Sequence, residues 1–210
     1  ANPPEKVKLD TVGPLFHAVK VKIAEDGEIL VSGENVMNGY WNDPDATSKT
    51  LINGWIHTGD IGEFDKENYL KITDRKKDIL VNAGGDNISP SRVEAKLDIE
   101  PEIAQSMLYG DFKNYLVAVI VPDKDFAINW AKDNSKNQSF ESIVKDEDFK
   151  KEINEVVNKV NKDLSVIEHV RKFILIDHEF TIENSMMTPS MKVRRFVVKN
   201  KYGEELEKLY

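Results

Sequence analysis

The six residues Leu116-Val117-Ala118-Val119-Ile120-Val121 are apolar without a break. Successive strand residues point to opposite faces of a sheet, so a strand apolar on both faces must be covered on both sides. A central strand is predicted here. Its neighbours supply a partner and the covers. Ile103–Tyr109 reads as a strand joined to Tyr115–Val121 by the turn Gly110-Asp111-Phe112-Lys113-Asn114. Helices are predicted over Asp123–Lys132, Asp148–Leu164 and Phe196–Tyr210, and a strand over Val170–Ile176. Polar loops fall at Asp133–Ser139 and Asn184–Ser190. Phe149, Ile153, Val156, Val157, Val160 and Leu164 share one helical face and read as a core stripe. Val197, Leu206 and Leu209 are the expected apolar contacts of the last helix. Ser89 with Pro90 marks a helix start running to about Leu97, and Ser91 with Glu94 offers a capping box one register later.

The first part of the chain has a different pattern. Pro3-Pro4 and Gly13-Pro14 mark residues 1–18 as extended coil. Val19, Val21 and Ile23 alternate with lysines, Asp26-Gly27 is a hairpin turn, and Ile29 and Val31 continue the return strand. Asn42-Asp43-Pro44 introduces a short helix over Asp45–Leu51. Ile61–Phe64 and Tyr69–Ile72 pair across Asp65-Lys66-Glu67-Asn68. The expected fold class is therefore α+β: a small β-rich lobe over 1–74, then an α/β domain with a small sheet flanked by helices over 79–210. The boundary lies near Asp74–Asp78.

A length of 210 residues suits two small domains or one large one. The formal net charge of −8 argues against a general nucleic-acid binder. With no cysteine there is neither a disulfide framework nor a thiolate metal site. His17, His57, His169 and His178 show no metal-ligand spacing. The polar start ANPPEKVKLD shows no signal peptide, and no apolar run approaches the ~20 residues of a membrane span.

The densest set of turn formers and paired charges lies between Gly54 and Glu94. Thr58-Gly59-Asp60 follows Trp55-Ile56, and Gly59 allows a sharp turn that leaves Asp60 at a strand end. An ionised carboxylate accepts two neighbouring hydroxyls at once, and a ribose diol is such a pair. Asp60 serving only to close a turn is the plainer alternative. Arg75, in Asp74-Arg75-Lys76-Lys77-Asp78, offers a planar fork suited to phosphate. A pair with Asp74 or Asp78 would equally occupy it. Lys76 and Lys77 read as solvated. Gly84-Gly85 permits close approach of a ligand, or a plain β-turn.

Taken together and in order, GWIHTGD, KITDRKKDILVNAGGDNISPSRVE and TPSMKVRR resemble the acyl-adenylate-forming superfamily. Within it, the likeness is to long-chain fatty acyl-CoA synthetases. DGEILVSGENVMNGYW resembles the segment that precedes the TGD turn in those enzymes, and FTIENSMMTPSMKVRRFVVKNKY their C-terminal end. The Ser/Thr/Gly-rich phosphate loop of such enzymes does not occur. The resemblance thus implies the end of a large N-terminal domain plus a mobile C-terminal domain, with the N-terminal remainder as a missing partner and the fragment itself inactive.

The resemblance implies a set of roles. Lys192 would be catalytic, bridging the substrate carboxylate and the α-phosphate during adenylation. Asp60 would hold the ribose hydroxyls of ATP, and Arg75 would contact the ribose and phosphate region. Lys77 would be the pivot of a hinge over 75–78, and Gly84 and Gly85 would meet the pantetheine tunnel. Met191 stands where many superfamily members have Gly, a departure shared by long-chain synthetases. Asn87 stands where some have Arg, and that role is not carried over. ATP, Mg2+ and CoA are the implied cofactor and co-substrates, with fatty acid as the other substrate. The implied setting is cytoplasmic, with peripheral membrane contact left open. A carrier-protein acceptor in place of CoA, or a non-catalytic nucleotide- or CoA-binding module, stands as the alternative.

Overall fold

Asp26 and Gly27 turn the chain back on itself, with Gly27 in the left-handed region at φ +85°. Strand β1 (Val19–Ile23) thereby pairs antiparallel with β2 (Glu28–Gly33). The computed structural model describes residues 1–210. Helix α1 (Pro44–Thr50) starts as its sequence dictates, with the Asp43 side chain accepting from the Ala46 N–H at 2.9 Å and Pro44 at the first position. Two short residues form β3 (Leu51–Ile52), the ten-residue β4 (Trp55–Phe64) follows, and then β5 (Leu70–Arg75). All pairings are antiparallel, in the order β1-β2-β4-β3 with β5 also on β4. Ile29, Leu30, Tyr69 and Leu70 are the buried apolar residues of this unit, which spans Ala1–Ile79.

The second unit, Leu80–Tyr210, opens on the two-residue strands β6 (Leu80–Val81) and β7 (Asn87–Ile88). Helix α2 (Pro90–Leu97) follows, capped by Ser89 with Pro90 at its first position. The alternative capping box on Ser91 does not form, because Glu94 is turned inward to other partners. Strands β8 (Ile103–Tyr109) and β9 (Leu116–Pro122) form an antiparallel hairpin. Helices α3 (Lys124–Asp133), α4 (Phe140–Ile143) and α5 (Glu147–Asn161) lead to β10 (Val170–Leu175), which pairs parallel to β9. The last helix is α6 (Arg195–Glu207).

Strand β9 is central and every residue of it is buried, as its composition requires. Its two faces enter two cores. Leu116, Ala118 and Ile120 pack with α2, α3, α4 and α5 through Val93, Ala127, Ile143, Phe149 and Ile153. Val117, Val119 and Val121 pack with Phe180, Met186 and α6. This is the mixed α/β architecture that the sequence implies. Most elements start or end within a few residues of expectation, and the two longest helices differ in instructive ways. Helix α5 ends at Asn161 rather than Leu164, because the backbone tightens into three-residue turns: the N–H groups of Lys162, Asp163 and Leu164 donate to the carbonyls of Lys159, Val160 and Asn161, and the Asn161 amide donates to the Val170 carbonyl at 2.9 Å and accepts the Val170 N–H at 3.0 Å. On α6 the buried stripe is Val198, Tyr202 and Leu206, a strict i, i+4, i+8 row, and Val197 is only partly buried.

Candidate functional site

Thr58-Gly59-Asp60 lies inside β4, not at a strand end. The pairing of β4 with β2 slips between Leu30↔His57 and Glu28↔Ile61, so four steps on β4 oppose two on β2. The surplus residues form a bulge, with Gly59 at φ +70°. A Cβ on Gly59 would meet nothing within 4 Å, so glycine is needed there for its backbone angle and not for space. A bulge re-aims a side chain without ending the strand, and here it presents Asp60.

The bulge is held by a residue the sequence did not mark. Glu28, at the start of β2, is only 5% exposed. Its Oε1 accepts the Gly59 N–H at 2.9 Å, and its Oε2 faces His57 Nδ1 at 3.2 Å and Lys76 Nζ at 2.9 Å. Burial would raise the pKa of Glu28. The Lys76 ammonium, the Gly59 N–H and His57 outweigh that and hold it below its ordinary value. Lys76 is therefore not the solvated lysine the sequence suggested. It also pairs with Asp26 at 2.6 Å, and its backbone N–H donates to the Gly59 carbonyl at 2.8 Å. Thr58 completes the frame: its hydroxyl donates to the Ile29 carbonyl at 2.7 Å and accepts the Asp60 N–H at 3.1 Å.

Arg75 makes its side-chain ion pair with neither Asp74 nor Asp78, although its backbone N–H donates to Asp74 Oδ1 at 2.7 Å. It stands directly across the sheet from Asp60, and its Nε donates to Asp60 Oδ1 at 2.9 Å. The two residues selected for nucleotide chemistry thus form one cross-strand unit. The pair leaves Asp60 Oδ2 and the terminal nitrogens of Arg75 outside the bond, on side chains that are 23% and 55% exposed. Gly59, Arg75, Lys76 and Lys77 line one groove. Lys77 is exposed and lies in the turn that the Arg75 carbonyl closes by accepting from Asp78 and Ile79.

In the second unit, Gly84 and Gly85 form the exposed tip between β6 and β7. The Asn82 side chain shapes it, accepting the N–H groups of Gly84 and Asp86 at 2.9 Å each and donating to Asp86 at 3.0 Å. Gly85 has φ +86° with no atom near a would-be Cβ. Lys192 ends the tight loop Thr188–Lys192, in which the Thr188 N–H donates to the Lys192 carbonyl at 2.9 Å and the Lys192 N–H to the Thr188 hydroxyl at 3.1 Å. Its side chain is exposed and makes no ion pair. No group of three or more His, Cys, Asp or Glu side chains is placed to hold a metal ion. No helix is long and apolar enough to cross a membrane.

The family profile described as the AMP-binding enzyme C-terminal domain matches residues 77–210. A long-chain-fatty-acid–CoA ligase of Mycobacterium tuberculosis, FadD15, is 38% identical over 206 residues, covering 97% of this chain and 34% of that protein. Long-chain-fatty-acid–CoA ligase 1 of Cavia porcellus is 36% identical over 189 residues, covering 88% of this chain and 27% of that protein. Among solved structures, the adenylation domain of a carboxylate reductase from Mycobacterium chelonae superposes with a TM-score of 0.77 at 26% identity, over 95% of this chain and 31% of that one. The chain spans about a third of the length of the curated relatives it matches. On the profile match and on identity sustained over nearly all its residues, the chain belongs to the AMP-binding enzyme family.

Proposed function

We propose that this chain is the C-terminal part of an ATP-dependent long-chain fatty acid–CoA ligase. The observation that carries the reading is the sustained identity with long-chain ligases across 97% of the chain. In this reading Asp60 accepts the ribose hydroxyls through its second oxygen, while Arg75 keeps its carboxylate aimed and offers N–H donors to phosphate. A fatty carboxylate attacks the α-phosphate of Mg·ATP, giving acyl-adenylate and pyrophosphate. Two anions approach one another in that step, and the Lys192 ammonium offsets the developing charge. CoA thiol then attacks the acyl carbon and AMP leaves. The Gly84-Gly85 tip serves that second step, and Lys77 is the pivot between the two. The 210-residue chain lacks the phosphate loop and has no turnover by itself. In this reading the setting is cytoplasmic.

The test is Lys192→Ala in the full-length ligase. Fatty-acid-dependent pyrophosphate release is expected to fall by ~10²–10³. Release at the wild-type rate would remove Lys192 from the reaction. The similarity to carboxylate reductase adenylation domains, one of them solved together with its carrier domain, favours a second reading in which the acceptor is a carrier-protein thiol. Offering the acyl-adenylate form CoA and carrier protein in parallel separates the two, with transfer to CoA expected.

A further inference from the structure

Glu94 lies on the inner face of α2 and is 8% exposed. Both its carboxylate oxygens meet the guanidinium of Arg195, the first residue of α6. Nη1 donates to Oε1 at 2.5 Å and Nη2 donates to Oε2. Oε1 also accepts the Leu108 N–H of β8 at 2.6 Å. One carboxylate therefore joins α2, β8 and the start of α6, across 101 residues of sequence in the case of Arg195.

Arg195 is three residues beyond Lys192. The intervening chain is a short relay of backbone bonds. Val193 bridges to Met187, and the Arg194 N–H donates to the Met186 carbonyl at 2.7 Å. The loop is closed on itself through Thr188, and no side chain caps the start of α6. Within this junction the tie to Glu94 is a charged, bidentate anchor. A fork-to-fork pair restricts direction as well as distance, which a single ammonium contact does not. Stability alone is a weak reason for such a pair, since apolar residues of similar volume commonly do as well.

We propose that Glu94 is a positioning residue for adenylation: by gripping Arg195 it sets where the Thr188–Lys192 loop emerges and hence where the Lys192 ammonium is delivered. This rests on the proposed role of Lys192. A misplacement of about 1 Å costs on the order of 10²-fold in a step that depends on alignment.

The experiment measures two half-reactions in the full-length ligase: fatty-acid-dependent exchange of pyrophosphate into ATP, and thioester formation from supplied acyl-adenylate and CoA. Glu94→Gln and Arg195→Lys are compared with Lys192→Ala. Expected for both is a fall in adenylation kcat of about tenfold to a hundredfold, with the KM for ATP and the thioester step unchanged. Equal falls in both half-reactions would reduce Glu94 to a fold-stabilising role, and unchanged adenylation would end the proposal outright. Should Glu94→Gln fail to fold, Arg195→Lys, which keeps the charge and loses the fork, decides by the same criteria. Unimpaired adenylation in Lys192→Ala would instead overturn the underlying reading of Lys192, so the two failures are distinct.

Discussion

Met191 has φ +59°, in the left-handed region that unbranched L-residues enter at a cost of roughly 1 kcal/mol. The residue is 66% exposed, so burial offers little to offset that strain. The angle follows from the closure of the Thr188–Lys192 loop, in which the Met191 N–H returns to the Thr188 carbonyl at 2.9 Å. Glycine adopts this angle freely. Met191→Gly is therefore expected to stabilise the fold by up to about 1 kcal/mol in urea unfolding, less the added entropy of the unfolded chain. A loss of stability would show that the Met191 side chain has a partner of its own. The superfamily resemblance sets Gly at this position in many members though not in long-chain synthetases, and a positive φ is an angle that suits glycine. Other residues were less legible. Lys76 and Arg75 sit in one charged run, and nothing local tells a solvated lysine from one paired to a buried carboxylate 48 residues upstream. Arg75 was read against its sequence neighbours Asp74 and Asp78, but its partner comes from the opposite strand.

At the scale of elements, periodicity was the readable signal. The α5 stripe, the two-faced apolar run of β9 and the Ser89-Pro90 start of α2 all follow from spacing that one segment carries alone. The β4 bulge was not readable, because turn formers inside a strand look the same as turn formers that end one. What holds β4 together past Gly59 is Glu28, on another strand. Glu28→Gln retains an acceptor for the Gly59 N–H but removes the charge facing Lys76 and His57. Lys76 is partly exposed, so the expected cost is about 1–2 kcal/mol at neutral pH. The pH dependence has a definite sign. The folded-state pKa of Glu28 lies below its ordinary value of 4.5, so its contribution is present above that value and is lost as pH falls through the folded-state pKa. The difference between wild type and Glu28→Gln should accordingly shrink on acidification below about 4.5. Amide exchange at Gly59 should quicken in the variant at neutral pH. A constant difference across pH would mean that the charge of Glu28 is not what holds the bulge.

For the molecule as a whole, the chain divides after Ile79 into two compact units, and both large hydrophobic cores belong to the second. Leu80–Tyr210 builds a three-layer arrangement, with one core on each face of β9. Its strands, helices and both cores are complete within those residues, which is what independent folding requires. Residues 80–210 expressed by themselves should unfold in one cooperative transition. Phe149 is the sharpest probe of that core: it is fully buried on α5, with its ring 5.0 Å from that of Trp130 and 6.3 Å from that of Phe126, centroid to centroid. Truncation to alanine removes those contacts and leaves a cavity that close-packed neighbours fill only in part. Phe149→Ala should lower the stability of the 80–210 unit by about 3–5 kcal/mol in chemical denaturation, with the slope against denaturant unchanged. A gradual, non-cooperative melt of the 80–210 chain would show that its cores need something more than their own residues. A small effect of Phe149→Ala would show that the face of β9 covered by α5 is not where this unit's stability resides.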